Sequence, residues 1–209
     1  MDGLTQSPME SLEILYGLKS VKRTGWLRRG VPPELCESSA AHSLHVIQAA
    51  YFFTGGDTAN YDLVDMMAMH DWPEAITGDP TPHDGLDPKV KHDLEHAAMI
   101  EITHGIPDGK KCLDTWLEYD AAQTPNAIIA KQLDKLDAAV KALYYESLGF
   151  KSAVSDFYPY TREKLTDPRL IRVFERLMKR DFPLEKSHLA YFLYLGAEKE
   201  RSSNGLITL

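Results

Sequence analysis

The stretch from Thr124-Pro125 to Gly149 constrains the fold more than any other part of the chain. A Thr hydroxyl caps an unpaired helix N–H, and proline fits the first turn, where its missing N–H costs nothing. No further break comes before Gly149, so the segment reads as the longest helix of the chain. Ile128, Ile129, Leu133, Leu136 and Val140 make its apolar face. A neighbouring face carries Ala127, Ala130 and Ala138 around Asp134. Small residues there let another helix approach closely. A carboxylate among them needs a partner, because burying a bare charge is costly; a metal ion would serve. Asp137 is the rival for that role, and it reads equally well as a solvated residue.

The rest of the chain also follows helical spacing. Leu12, Leu15, Tyr16 and Leu18 mark a short amphipathic helix. Ser38 or Ser39 caps one running to about Phe53, and another spans Tyr61 to Met69. Asp87-Pro88 opens a helix that reaches about His104 and stops at Gly105. Further helices are expected over Asp108–Tyr119, with Leu113, Trp116 and Leu117 inward, and over Asp167–Lys179 and Leu184–Leu195. Phe157, Tyr158 and Tyr160 read only as an aromatic patch. There is no strand-length alternating run, no internal repeat and no Gly-rich phosphate loop. The expected fold is therefore all-α, a single-domain helical bundle. Residues 1–10 are expected to be a flexible N-terminus, 11–180 the core, and 181–209 a C-terminal helix and tail.

Composition narrows the function classes. A chain of 209 residues with 44% hydrophobic residues suits one domain with a sizeable core. The net charge of -8 argues against a nucleic acid polymer as partner. No apolar run is long enough to span a bilayer, and the N-terminus lacks the basic start and apolar core of a secretory signal. Cys36 and Cys112 are the only cysteines and do not form a metal-type pair. A cytoplasmic protein is expected.

The chemistry centres on His70-Asp71, delivered by the Tyr61–Met69 helix. Pro73 breaks the chain just after the pair. At such a helix end both side chains can reach one cation. A second short helical stretch presents Glu74, and the loop after it presents Asp79. His42 lies in the first turns of its helix, with His45 one turn on. His42, His70-Asp71 and Asp134 thus form a spaced set on three helices, and a bundle can aim such residues at one point. Two imidazoles and two carboxylates suit one divalent ion per chain: Co, Mn, Mg, Zn or Fe. A water held on that ion loses its proton more easily and can attack phosphorus. Glu74, with the ligand Asp71, is the expected catalytic carboxylate, Glu74 acting as general acid or base.

Five of the twelve residues from Lys19 to Gly30 are basic, in an acidic chain. The run reads either as a solvated loop or as an anion site. In the second case Arg23 grips phosphate with its fork and Trp26 walls off a ring. His92 and His96, four residues apart, share a helix face and have metal-binding spacing. Charged neighbours make a solvated face the plainer reading.

Four blocks together resemble the HD-domain metal-dependent phosphohydrolases, most closely their 5'-deoxynucleotidase branch. They are Arg23-Thr24-Gly25-Trp26, Glu37 to Ser43 around His42, His70 to Asp79, and Lys131-Gln132-Leu133-Asp134. The resemblance covers about residues 12–180 and implies a helical fold and frequent homodimers. It implies metal ligation by His42, His70, Asp71 and Asp134, placing the fourth ligand on Asp134 rather than Asp137. It makes Glu74 catalytic, sets Arg23 on phosphate, and puts Asp79 by the sugar and Trp26 near the ribose. The implied substrate is a (2'-deoxy)nucleoside 5'-phosphate, most simply a monophosphate. Ala40 and Ala41 depart from the family's usual polar and acidic residues before the first His. That leaves di- or triphosphates as an alternative substrate. Two other readings stand: a di-iron HD oxygenase that would add His92 and His96, and a non-catalytic nucleotide sensor.

Overall fold

A computed structural model of the chain describes residues 7–53, 61–81, 84–150 and 155–179. Ten α-helices run through these residues: α1 (Pro8–Tyr16), α2 (Thr24–Leu27), α3 (Ser39–Phe53), α4 (Tyr61–Met69), α5 (Glu74–Thr77), α6 (Pro88–His104), α7 (Gly109–Ala121), α8 (Pro125–Ser147), α9 (Phe157–Lys164) and α10 (Pro168–Lys179). Among the described residues the only extended pairing is an isolated antiparallel bridge between Lys22 and Ser38. The all-α expectation holds.

Local chemistry sets the helix starts. The Thr124 hydroxyl accepts from Ala127 N at the head of α8, and the Asp87 carboxylate accepts from Lys89 N and Val90 N at the head of α6. Each such cap is worth about 1 kcal/mol. The loose start expected over residues 1–10 is corrected from Pro8 onward. Ser7 and Glu10 form a reciprocal capping box that starts α1 there, with proline in its first turn. The aromatic patch at Phe157 is itself helical. The helix expected over Leu184–Leu195 and the 181–209 tail lie outside the described residues.

Helix α8 is the hub, packing on α3, α4, α7, α9 and α10. This changes the reading of its faces. Ala127, Ala130, Leu133, Asp134, Leu136, Asp137, Ala139, Ala142 and Leu143 are all buried, while Ile128 is exposed. A helix surrounded on most sides has no single polar stripe. The main core joins Val46, Leu63, Met66 and Met67 to Leu133, Leu136, Leu170 and Phe174. Each such side chain, fully buried, contributes roughly 1.5–3 kcal/mol. A smaller cluster of Trp26, Val31, Cys36 and Tyr145 anchors α2 and the loop before α3. Tyr145 Oη donates to Leu35 O at 3.2 Å and accepts from Glu37 N at 3.0 Å.

Candidate metal centre and active site

The helices surround one cavity of about 320 Å³. Its lining includes Arg23, His42, His70, Asp71, Glu74 and Asp134.

His70 follows the last residue of α4, where carbonyls lack intrahelical partners. Its Nδ1 lies 2.7 Å from Met67 O. A carbonyl can only accept, so the hydrogen sits on Nδ1 and Nε2 presents a bare lone pair. His42 is arranged likewise. Its Nδ1 lies 2.7 Å from Asp137 Oδ2, leaving Nε2 on the cavity side. The two Nε2 atoms face each other at 3.4 Å. Asp134 Oδ1 lies 3.2 Å from His42 Nε2, Asp71 Oδ2 lies 3.7 Å from it, and Asp71 Oδ1 lies 3.2 Å from His70 Nε2. Two Nε2 atoms and two carboxylates converge on one point. Burial and Arg23 oppose a charge on His42, but Asp134 and Asp137 hold its pKa well above the ordinary value, so a bound cation would take the place of that proton. That donor set fits a divalent cation. His42, His70 and Asp71 form a group that can hold a metal ion, and Asp134 joins through His42.

Beside this group Arg23 Nη1 reaches three carboxylates: Asp79 Oδ1 at 2.9 Å, Glu74 Oε1 at 3.1 Å and Asp71 Oδ2 at 3.2 Å. The backbone puts it there. Arg23 N donates to Glu37 O at 3.1 Å and Ser39 N donates to Val21 O at 2.9 Å, tying the arginine to the start of α3. Gly78, at φ +73°, lets the chain turn after α5 so that Asp79 Oδ2 meets Thr24 N at 2.5 Å. Burial disfavours the guanidinium's charge, but Asp71, Glu74, Asp79 and Asp134 hold its pKa well above the ordinary value. The carboxyls respond in opposite directions. Burial and Asp71 push Glu74 well above its usual range, against Arg23. Asp71, despite burial, is held below its range by His70 and Arg23. Asp134, despite burial, is held well below its range by Lys135, whose Nζ is 2.7 Å away, and by His42.

Trp26 lines the cavity, but its Nε1–H donates to Glu37 Oε1 at 2.9 Å and its ring stacks on Phe157 at 4.1 Å. It is a packed wall. Arg28 pairs with Asp84, and Arg29 Nη2 with Asp156 at 2.5 Å, so the basic run is divided and only Arg23 enters the ligand cluster. His92 and His96 are not brought to the centre. Both stack on Trp116, and His92 Nδ1 lies 2.6 Å from Asp120 Oδ2. The metal spacing of that pair is used for packing. Asp137 corrects the solvated reading: it is buried, and it also lies 3.2 Å from His45 Nδ1. Its i, i+3 spacing from Asp134 was the available signal. Nothing in the local pattern pointed to Lys135 or Glu37.

Helices converge here on paired imidazoles and carboxylates that could hold a metal ion, with an arginine alongside. The chain belongs to the HD-domain family, whose pattern it matches over residues 15–169. The 5'-deoxynucleotidase HDDC2 of Dictyostelium discoideum is 33% identical over 174 residues, spanning 77% of this chain and 90% of the relative. The protein of that name from Homo sapiens is 32% identical over 176 residues, spanning 82% and 85%. Among solved structures, a conserved hypothetical protein from Pyrococcus furiosus matches with a TM-score of 0.68 at 26% identity, covering 82% of this chain and 99% of its own.

Proposed function

We propose that this chain is a metal-dependent phosphohydrolase that removes phosphate from 2'-deoxynucleoside 5'-monophosphates. About one divalent ion per chain would be held by His42, His70, Asp71 and Asp134. The observation that carries this reading is the pair of His42 and His70 Nε2 atoms facing each other at 3.4 Å beside two carboxylates. The relatives named 5'-deoxynucleotidase supply the substrate class.

When bound, the cation supplies Lewis-acid activation of water and of the phosphoryl group. The chain does the rest. Arg23 uses only Nη1 for its carboxylates among the described contacts, leaving Nε and Nη2 for phosphate oxygens. Asp79 fixes the arginine's position and faces the sugar from the cavity wall, with Trp26 behind it. Glu74 and Asp71 are neighbouring carboxyls pushed apart in pKa, which supports a proton-carrying role for Glu74 and a ligand role for Asp71. Glu74 takes a proton from the attacking water or delivers one to the departing 5' oxygen.

No helix among the described residues is long and apolar enough to cross a membrane. Cys36 and Cys112 are free thiols, as a reducing compartment allows, and a cytoplasmic location belongs to the proposal. So does a homodimer, which light scattering of the purified chain would check.

The test is phosphate release from deoxy- and ribonucleoside mono-, di- and triphosphates, with Mn²⁺, Co²⁺, Mg²⁺, Zn²⁺ and Fe²⁺ each supplied to metal-stripped protein. Deoxynucleoside and orthophosphate are the expected products from monophosphates. Turnover confined to triphosphates would overturn the substrate assignment, and turnover without any added cation would overturn the metal assignment.

A further inference from the structure

The cavity contains a second basic pair, on α8. Lys131 and Lys135 stand one helical turn apart and bracket Asp134. Lys135 is committed, with Nζ 2.7 Å from Asp134 Oδ2. Lys131 forms no ion pair with a described residue. Its Nζ lies over the Tyr119 ring, 3.6 Å from the centroid, and that ring is 5.4 Å from the His70 ring. The ammonium is therefore kept at the ligand end of the cavity with an aromatic face as its partner. Burial lowers its pKa, and Asp134 is the carboxylate that acts on it most strongly. An aromatic face holds a cation less firmly than a charged oxygen does. The four-carbon stem lets the ammonium swing from one to the other.

We propose that Lys131 is a phosphate-binding residue that leaves the Tyr119 ring and donates to the substrate's phosphoryl oxygens, alongside Arg23. The proposal rests on the phosphohydrolase reading above. It adds a mobile point charge to the fixed fork of the arginine.

Orthophosphate binding to the full chain loaded with Mn²⁺, measured by calorimetry, tests it, because orthophosphate has neither sugar nor base. Lys131→Met should weaken binding about tenfold or more, the usual effect of losing a charged hydrogen bond. Lys131→Arg should stay within a few-fold of wild type, and Mn²⁺ content should be unchanged in both. Affinity for an unphosphorylated deoxynucleoside should also be unchanged. Wild-type phosphate affinity in Lys131→Met would overturn the inference, as would a loss confined to the nucleoside. Loss of Mn²⁺ from both variants would overturn it too, making Lys131 a prop for Asp134. If the Mn²⁺-loaded wild type binds no orthophosphate, this inference fails, whereas the phosphohydrolase reading stands or falls on phosphate release.

Discussion

Asp137 Oδ2 lies 2.7 Å from His42 Nδ1, on the ring nitrogen that does not face His70. The contact holds the Nδ1 hydrogen and orients the ring so that Nε2 faces His70. Partners of this kind typically change metal affinity about ten- to a hundredfold when removed. Asp137→Ala should show a loss in that range in a metal titration, with turnover recovered at high metal concentration. Asp137→Asn, which still accepts from Nδ1–H, should lose less.

The same carboxyl predicts an acid limit. Burial raises the Asp137 pKa, but His42, hydrogen-bonded at 2.7 Å, and His45, 3.2 Å away, win and bring it from 3.8 to about 2. A folded pKa below the unfolded one contributes stability that is full above the unfolded value and is lost as pH falls through the folded one. Metal-free wild type should therefore lose stability between about pH 4 and pH 2 more steeply than Asp137→Asn. Chemical denaturation across that range measures it.

Arg23 is the shared countercharge of Asp71, Glu74 and Asp79. Arg23→Ala leaves the buried Asp71 and Glu74 and the half-buried Asp79 facing one another. It should raise KM for the nucleotide sharply and lower the melting temperature. Arg28→Ala and Arg29→Ala remove pairs outside the ligand cluster, with Asp84 and Asp156. Pairs near the surface are worth about 0–1 kcal/mol, so those variants should stay close to wild type in both assays. Equal effects from all three would reduce Arg23 to part of a diffuse field.

Glu74→Gln keeps shape and removes the proton chemistry. Metal content and nucleotide affinity should hold while kcat falls by about a hundredfold or more. Near-normal turnover would limit Glu74 to stabilising the start of α5, worth about 0.3–1 kcal/mol.

His70→Ala and Asp71→Ala should each abolish metal binding and turnover together, as measured by elemental analysis and phosphate release. Stripping the wild type with a chelator should do the same reversibly. Full occupancy and turnover in Asp71→Ala would sink the ligand assignment.

The helix pattern was legible in the chain because its signals are local. Thr124-Pro125, Asp87-Pro88 and Gly105 act through hydrogen bonds a few residues away, so position and residue type suffice. His42, His70, Asp71 and Asp134 were legible as candidates because their residue types suit a shared ion, and the family resemblance favoured Asp134 over Asp137. What joins them was not legible. His42 and Asp137 are 95 positions apart, and Arg23 and Asp79 are 56 apart, so their contacts depend on how α3 and α8 rotate and how the chain turns at Gly78. The apolar face and neighbouring small-residue face predicted for α8 became burial on most sides, because five helices pack around it. Helix packing also turned His92 and His96 onto Trp116 and seated Lys131 over Tyr119. Residue types set which chemistry was available to this chain. Only the packing angles of the bundle decided which groups meet, because a side chain's partner across a core is fixed by helix rotation, which local periodicity does not encode.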